Sequence, residues 1–364
     1  VEEAILKARA EELKPPVTSV GVIGWARNNL FNGWFNSILT LITLFFLLKT
    51  VPPLVQWAFI DSMWHTTGLA CRGAPGACWS IIYTNFRFII FGFYPYAQQW
   101  RPLLAMMILV GLLFYSRDRT HWNKYLGYGW PMGLAVMGLL MKGGLFGLTP
   151  VESTQWGGLP LTLLLSVFGL TAAYPLGVIL ALGRQSKMHG VKWLSVLYIE
   201  LIRGVPLISL LFMSSIIFPL FLPEGITFNK LLRAQVAIIL FTAAYIAEVV
   251  RGGLQGMSRG QYEAAESMGL NYYLTMRLVI LPQALKIVIP PTVSILISAF
   301  KDTSLVVIIA LWDLLKTTQS VLSNPEWMGF SREAYLFIAI FYFLGCFSMS
   351  NYSRKLEREL SREN

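Results

Sequence analysis

GQYEAAESMGL, residues 260–270, is a polar, alanine-rich stretch set between two long apolar runs. What surrounds it decides the fold. The chain is 55% hydrophobic and only 13% charged, where an ordinary soluble domain is about 25% charged. Several windows reach the roughly 20 apolar residues that cross a bilayer. The net charge of +10 fits the basic loops of a membrane protein. No RNA-recognition or zinc-finger spacing accompanies it, so nucleic acid is not an expected partner.

The hydropathy pattern predicts an all-α, polytopic membrane protein of about eight transmembrane helices, over roughly 37–60, 102–116, 126–147, 159–183, 201–222, 233–251, 284–310 (broken) and 334–353. Region 102–147 reads as two full spans or as partly re-entrant. Residues 1–14 alternate charge and alanine and read as a surface helix stopped by Pro15-Pro16. Residues 24–35 carry Trp25, Phe31 and Trp34 among polar residues, which suits an interfacial helix or a plain linker. Basic residues gather in segments that eight spans place on one side: Lys7, Arg9, Lys14 and Arg27; Arg117, Arg119 and Lys124; Arg184, Lys187 and Lys192; and Arg354, Lys355, Arg358 and Arg362. By the positive-inside rule that side is the cytoplasm, and both termini lie there. Longer, aromatic-rich connections face outward, over 61–101, 148–158, 223–232 and 311–333. Cys71 and Cys78, spaced around Gly and Pro in the first of these, read as a disulfide or as two free thiols. Cys346 reads as packing.

The opening stretch lies on the basic side. Ser258 and Gln261 have the spacing of a capping box. Glu263 falls in the first turns, where the helix dipole favours a carboxylate. Gly269 is placed to stop the helix. Asn271 can cap a second helix through YYLTMRLVI, ended by Pro282. A helix–turn–helix outside the membrane follows. Ala264 and Ala265 are small enough to sink into a groove, with Tyr262, Met268 and Leu270 as apolar contacts. A helix this short needs support, from its own membrane domain or from another protein.

GQYEAAESMGLNYYLTMRLVILP carries Glu263-Ala264-Ala265, then Gly269, then Val279, Leu281 and Pro282. This resembles the EAA coupling loop of permease subunits in ATP-binding-cassette (ABC) importers; Val279 in place of Ile is the one departure. YIELIRGVPL (198–207), AYIAEVVRGG (244–253), LPQALKIVIPP (281–291) and KDTSL (301–305) resemble the polar amino-acid importers of the histidine/glutamine/arginine type. FNGWFNSILT, GACWSII and FGFYPYAQQWRP resemble one permease of the bacterial general L-amino-acid importer. The resemblance implies a type I importer core over 158–364, with its coupling loop at about 252–283, in a bacterial inner membrane. Before it would lie an amino-terminal segment, 1–36, and an extra transmembrane region, 37–157. It further implies ATPase-coupling roles for Gly260, Tyr262, Glu263, Ala264, Ala265, Gly269, Leu281 and Pro282. The implied partners are a different second permease making a heterodimer, an ATPase dimer, a periplasmic amino-acid-binding protein, the L-amino-acid substrate and membrane lipid. ATP and Mg would sit on the ATPase. This chain has no phosphate-cradling G-x-x-x-x-G-K-[ST] stretch, no catalytic residues are expected on it, and it is expected to bind no cofactor or metal.

Charges near or within spans are pathway or gate candidates. Glu200 and Arg203, and likewise Glu248 and Arg251, are i, i+3 and read as local ion pairs on one helix face, as gate latches or as substrate contacts. Lys301, Asp302, Thr303 and Ser304 lie between two half-length apolar segments. They read either as a helix broken inside the membrane or as a helix end at the outer surface. An ion-gradient transporter of amino acids is the alternative function; it would need no EAA loop. A membrane enzyme has no motif here: His65, His121 and His189 are scattered, and neither H-E-x-x-H nor G-x-S-x-G occurs.

Overall fold

The structure is a computed structural model and describes residues 21–223, 225–226 and 228–362. The helix expected over 1–14, its Pro15-Pro16 stop and Lys7, Arg9 and Lys14 lie outside them. The chain divides into two compact units, Val1–Ser80 and Ile81–Asn364.

In the first unit, α1 (Gly21–Asn29) precedes α2 (Trp34–Val55), and a π-helical turn over Gln56–Ile60 prolongs α2. Trp34–Ile60 is a span of 27 residues, about 40 Å at 1.5 Å per residue, against a hydrocarbon core of about 30 Å. None of α2 is buried, and it is apolar all round, as a helix facing lipid must be. Its Thr43 and Thr50 hydroxyls donate to the carbonyls of Leu39 and Phe46, which satisfies them where no water is present. The following loop contains a single turn, α3 (Gly68–Cys71), capped by Thr67. Cys71 and Cys78 form a disulfide with Cα atoms 5.8 Å apart. Trp79 lies against Trp57 and Trp64, and its indole N–H donates to the Ala58 carbonyl.

The second unit opens with α4 (Ser80–Phe91), a short apolar helix inside the segment expected to be an outer loop. Region 102–147 folds as a helical hairpin, α5 (Trp100–Ser116) and α6 (Lys124–Lys142), packed through Ala105, Leu109, Leu134 and Met137. With the 3₁₀ turn before it, α5 makes a candidate span over Tyr96–Ser116, whereas α6 is long enough but is diluted by four glycines and a lysine at each end. Arg101, 1% exposed, closes the hairpin. Its Nε donates to the Leu140 carbonyl and its Nη1 to Gln98 Oε1 and the Thr149 carbonyl, while the Tyr94 hydroxyl donates to the Met141 carbonyl. These groups satisfy the end of α6, whose last carbonyls have no partner within the helix.

The centre of this unit is the pair α7 (Gly158–Arg184) and α10 (Lys230–Gln255). Small residues permit the approach: Ala173, Gly177 and Ala181 face Ala243, Ile246 and Ala247, and a Cβ added at Gly177 would lie 2.6 Å from Ile246. Between them run α8 (His189–Arg203) and α9 (Leu207–Phe212), bent by 102° at Gly204-Val205-Pro206. The expected span 201–222 is therefore one arm of a bent pair. Among the described residues six helices are long and apolar enough to cross a membrane, or seven with this pair counted as one span, against the eight expected. After α10 come α11 (Arg259–Ser267), α12 (Tyr272–Leu274), a π-helical turn over Thr275–Ile280, α13 (Leu281–Ile287) and α14 (Ile289–Asp302). A tighter 3₁₀ stretch, Thr303–Ile309, prolongs α14. Short α15 (Leu314–Leu322) and long α16 (Ser331–Arg362) end the chain.

Candidate functional site

The stretch 260–270 folds as helix α11 and its stop. Leu270 N–H donates to the Ala265 carbonyl and Gly269 N–H to the Glu266 carbonyl, the two bonds of a Schellman motif. Gly269 sits at φ +76°, where side chains with a Cβ are disfavoured. The start of α11 differs from expectation. Ser258 occupies the cap position but its side chain makes no capping bond; the capping box does not form because Gln261 turns to Gln283. Gln283 Nε2 donates to Gln261 Oε1 at 3.0 Å and to the Val279 carbonyl at 2.9 Å. Asn271 caps α12 as expected from its side chain, accepting from Leu274 N–H. Pro282, however, does not end that helix. The π-helical turn widens the backbone ahead of it, and Pro282 begins α13, where its missing N–H costs nothing.

One face of this loop is anchored and the other is open. Ala265 is buried, and Tyr262 packs at the edge of the main core. Burial and the neighbouring Tyr272 push the Tyr262 phenol up from its ordinary value, so it stays neutral. Glu263 and Ala264 are exposed, as are Met268, Tyr272 and Tyr273. Leu281 packs against the core beside Ile280 and Ala284. Gly260 has open space around it. The loop thus rests on its own membrane domain through one face and leaves a mixed acidic and aromatic face exposed.

Behind it lies an ion cluster. Glu248 accepts from Arg184 Nη1 at 2.7 Å and from Arg251 Nη2 at 2.9 Å, with Arg203 Nη1 at 3.4 Å. Arg184 also reaches Glu200 at 2.8 Å. Glu248 and Arg251 pair along one helix, as expected. Glu200 and Arg203 do not pair with each other among the described ion pairs; each turns to a neighbouring helix instead. Arg184, which sequence reasoning placed among loop cations, is the shared partner. Three helices, α7, α8 and α10, are therefore tied at one end, the end from which α10 runs toward α11.

The KDTS stretch is not a break. Its helix narrows from α to 3₁₀ at Thr303, and the irregular points lie earlier, at Val288 before Pro290-Pro291, and later, at left-handed Ala310. Thr303 is fully buried and donates to the Phe300 carbonyl; Ser304 donates to the Lys301 carbonyl. Lys301 is exposed, and among the described residues no ion pair joins it to Asp302. Asp302 instead lines a cavity of about 340 Å³ with Phe241, Thr242, Tyr245, Ser294 and Ser298.

Residues 173–362, which hold all three features, match the family of binding-protein-dependent transport system inner membrane components. The chain belongs to this family. It is 48% identical to an inner membrane amino-acid ABC transporter permease protein of Escherichia coli (YhdY), over 93% of this chain and 92% of the relative. It is 39% identical to a glutamate/glutamine/aspartate/asparagine transport system permease protein of Rhodobacter capsulatus (BztC), over 98% of each. Among solved structures, an amino acid ABC transporter crystallised with histidines aligns with a TM-score of 0.50 at 30% identity, over 56% of this chain and 92% of that one. The chain is thus the inner-membrane permease component of an ATP-driven importer, and ATP is bound by a separate ATPase subunit, not by the permease. The relatives that align over nearly the whole permease share its amino-terminal region as well as its core.

Proposed function

We propose that this permease imports polar L-amino acids and forms half of a translocation pathway with a second, different permease. Its relatives, an amino-acid permease and a permease for acidic amino acids and their amides, support that substrate class. The observation that carries the pathway reading is the cavity at Asp302. Its volume of about 340 Å³ falls at the lower end of small-ligand sites. It pairs a carboxylate with the hydroxyls of Thr242, Ser294 and Ser298 and with two aromatic rings, chemistry suited to an α-ammonium group and a short polar side chain.

The coupling stretch 260–270 transmits the closing of a cytoplasmic ATPase dimer into α10 and α13 by alternating access, and a periplasmic binding protein delivers the substrate. Both termini are cytoplasmic in this reading, and the core starts near residue 158. The Glu248 cluster acts as a latch at the cytoplasmic end. The test is reconstitution of the complex in proteoliposomes. Asp302→Asn is expected to lower uptake at least tenfold while leaving the ATPase bound. Parental uptake by Asp302→Asn would remove the cavity from the pathway. Uptake that persists without the ATPase would instead favour an ion-gradient mechanism.

A further inference from the structure

A second cavity, of about 510 Å³, lies between the α9 arm and the first half of α10. Its walls are almost wholly apolar, including Leu210, Met213, Phe221, Leu232 and Val236. Several of these are exposed, Phe221 at 80%. One charged side chain enters it. Arg233 donates through Nη1 to the Ser215 carbonyl at 2.6 Å, but among the described residues its buried Nε has no partner. A guanidinium at an apolar wall that no described carboxylate reaches is costly unless an anion joins it.

We propose that this groove binds an anionic glycerophospholipid, with its phosphate on Arg233 and an acyl chain along α10 toward Leu240. Charge and shape both point to that occupant. Lys230, exposed in the first turn of α10, adds a second cation one turn beyond Arg233. From Arg233 to Leu240 the helix rises about 10 Å, within a single leaflet of a hydrocarbon core about 30 Å thick. Arg233 lies about 5 Å from the start of the helix, a depth from which a long basic side chain reaches the headgroup level.

A second permease is the competing occupant, and helix geometry argues against it. At 100° per residue the groove residues 232, 233, 236, 237 and 240 centre about 150° from residues 241, 242 and 245 of the Asp302 cavity. If the Asp302 cavity faces the pathway, as proposed above and on which this inference rests, the groove faces away from it, toward lipid.

The test is native mass spectrometry of the purified, assembled importer after exchange into detergent and addition of phosphatidylglycerol. The parental complex is expected to retain one phospholipid more per copy of this chain than Arg233→Met, which keeps much of the side-chain length and removes the charge. Ala237→Phe, which fills the groove and leaves the arginine, is expected to lose the same lipid. Retention equal to the parent in either variant overturns the site, whatever uptake shows. A photo-cross-linker at position 236 that captures the second permease also overturns it. The reading it rests on is decided separately, by uptake through Asp302→Asn.

Discussion

Arg184 and Glu248 meet at 2.7 Å although 64 residues separate them. The bond ties the end of α7 to α10. Glu248 is 14% exposed and has three arginines within 3.4 Å, so its removal leaves clustered positive charge with Glu200, on Arg184, as the remaining counter-ion. Glu200, 55% exposed, touches Arg184 alone. Breaking a fully buried pair by removing one partner costs about 3–5 kcal/mol and an exposed pair contributes about 0–1 kcal/mol; the partly buried pairs of Glu248 fall between these and those of Glu200 at the lower end. Glu248→Gln is therefore expected to lower the melting temperature of the complex clearly, and Glu200→Gln barely, in thermal unfolding followed by fluorescence. Equal shifts from the two variants would show that the cluster has no hub.

The loop closed by Cys71 and Cys78 holds eight residues, counting both ends. Chain-entropy arithmetic gives a closure of that size about 2.5 kcal/mol. Intact mass without reductant is expected to show the pair oxidised. Cys71→Ser is expected to speed proteolysis within 61–80 while leaving the α7–α10 core unchanged. Two thiols alkylated in native, unreduced protein would contradict the bond.

Much of this architecture was legible from composition and period. The apolar runs of α2, α7, α10, α14 and α16 are long enough to declare themselves, and the stop at Gly269 and the cap at Asn271 are local rules that the structure follows. What escaped has physical causes. Arg184 reaches Glu200 and Glu248 across 16 and 64 residues, beyond any periodicity. The α4 helix is 12 residues long, too short to separate from a loop rich in aromatics. Gln261 was free to complete a capping box by spacing alone, and only tertiary contact could reveal that Gln283 holds it. Proline at 282 was read as a helix stop because the sequence carries no signal for the π-helical turn that accommodates it.

That contact between Gln283 and Gln261 joins α11 to the membrane domain independently of the main chain. Gln283→Leu removes it and leaves the Val279 carbonyl to its own helix. A side-chain hydrogen bond of this kind contributes about 1 kcal/mol, too little to unfold the protein. The expected result is a complex that assembles normally but hydrolyses more ATP per amino acid imported. Unchanged coupling stoichiometry in proteoliposomes would confine Gln283 to packing.

Asp313 caps α15, accepting from the backbone N–H of Leu315 and Lys316. It is fully buried, and burial pushes its carboxyl up from an ordinary 3.8 to about 6 against the pull of those bonds. Lys316 and the Tyr342 phenol are the ionisable groups that interact with it. Because the folded value lies above the unfolded one, the folded state binds the extra proton between about pH 4 and pH 6. Stability from this group is full below that window and declines as pH rises through it. Asp313→Asn keeps an amide oxygen for the cap and removes the titration. The parent is expected to lose melting temperature between pH 4 and pH 6 relative to Asp313→Asn, and the two are expected to run parallel above pH 7. Parallel curves throughout would mean that the carboxyl titrates as if in water.

Gly269 offers the sharpest test of the coupling reading. Nothing lies within 4 Å of a Cβ built there, so a Cβ meets no steric obstacle among the described residues. Its φ of +76° is the only objection, and it is a strong one for a β-branched residue. Gly269→Asn tolerates that conformation; Gly269→Ala strains it modestly, by about 1 kcal/mol, and Gly269→Val strains it most. If the angle between α11 and α12 sets how the ATPase engages, substrate-stimulated ATP hydrolysis and uptake should fall together in the order Asn, Ala, Val. Insertion into the membrane should be equal for all three, since the change lies outside the spans. The measurement is hydrolysis and uptake in proteoliposomes containing the ATPase and binding protein. Were Gly269→Val to hold its ATPase and transport at the parental rate, the Schellman turn would be a helix stop and nothing more.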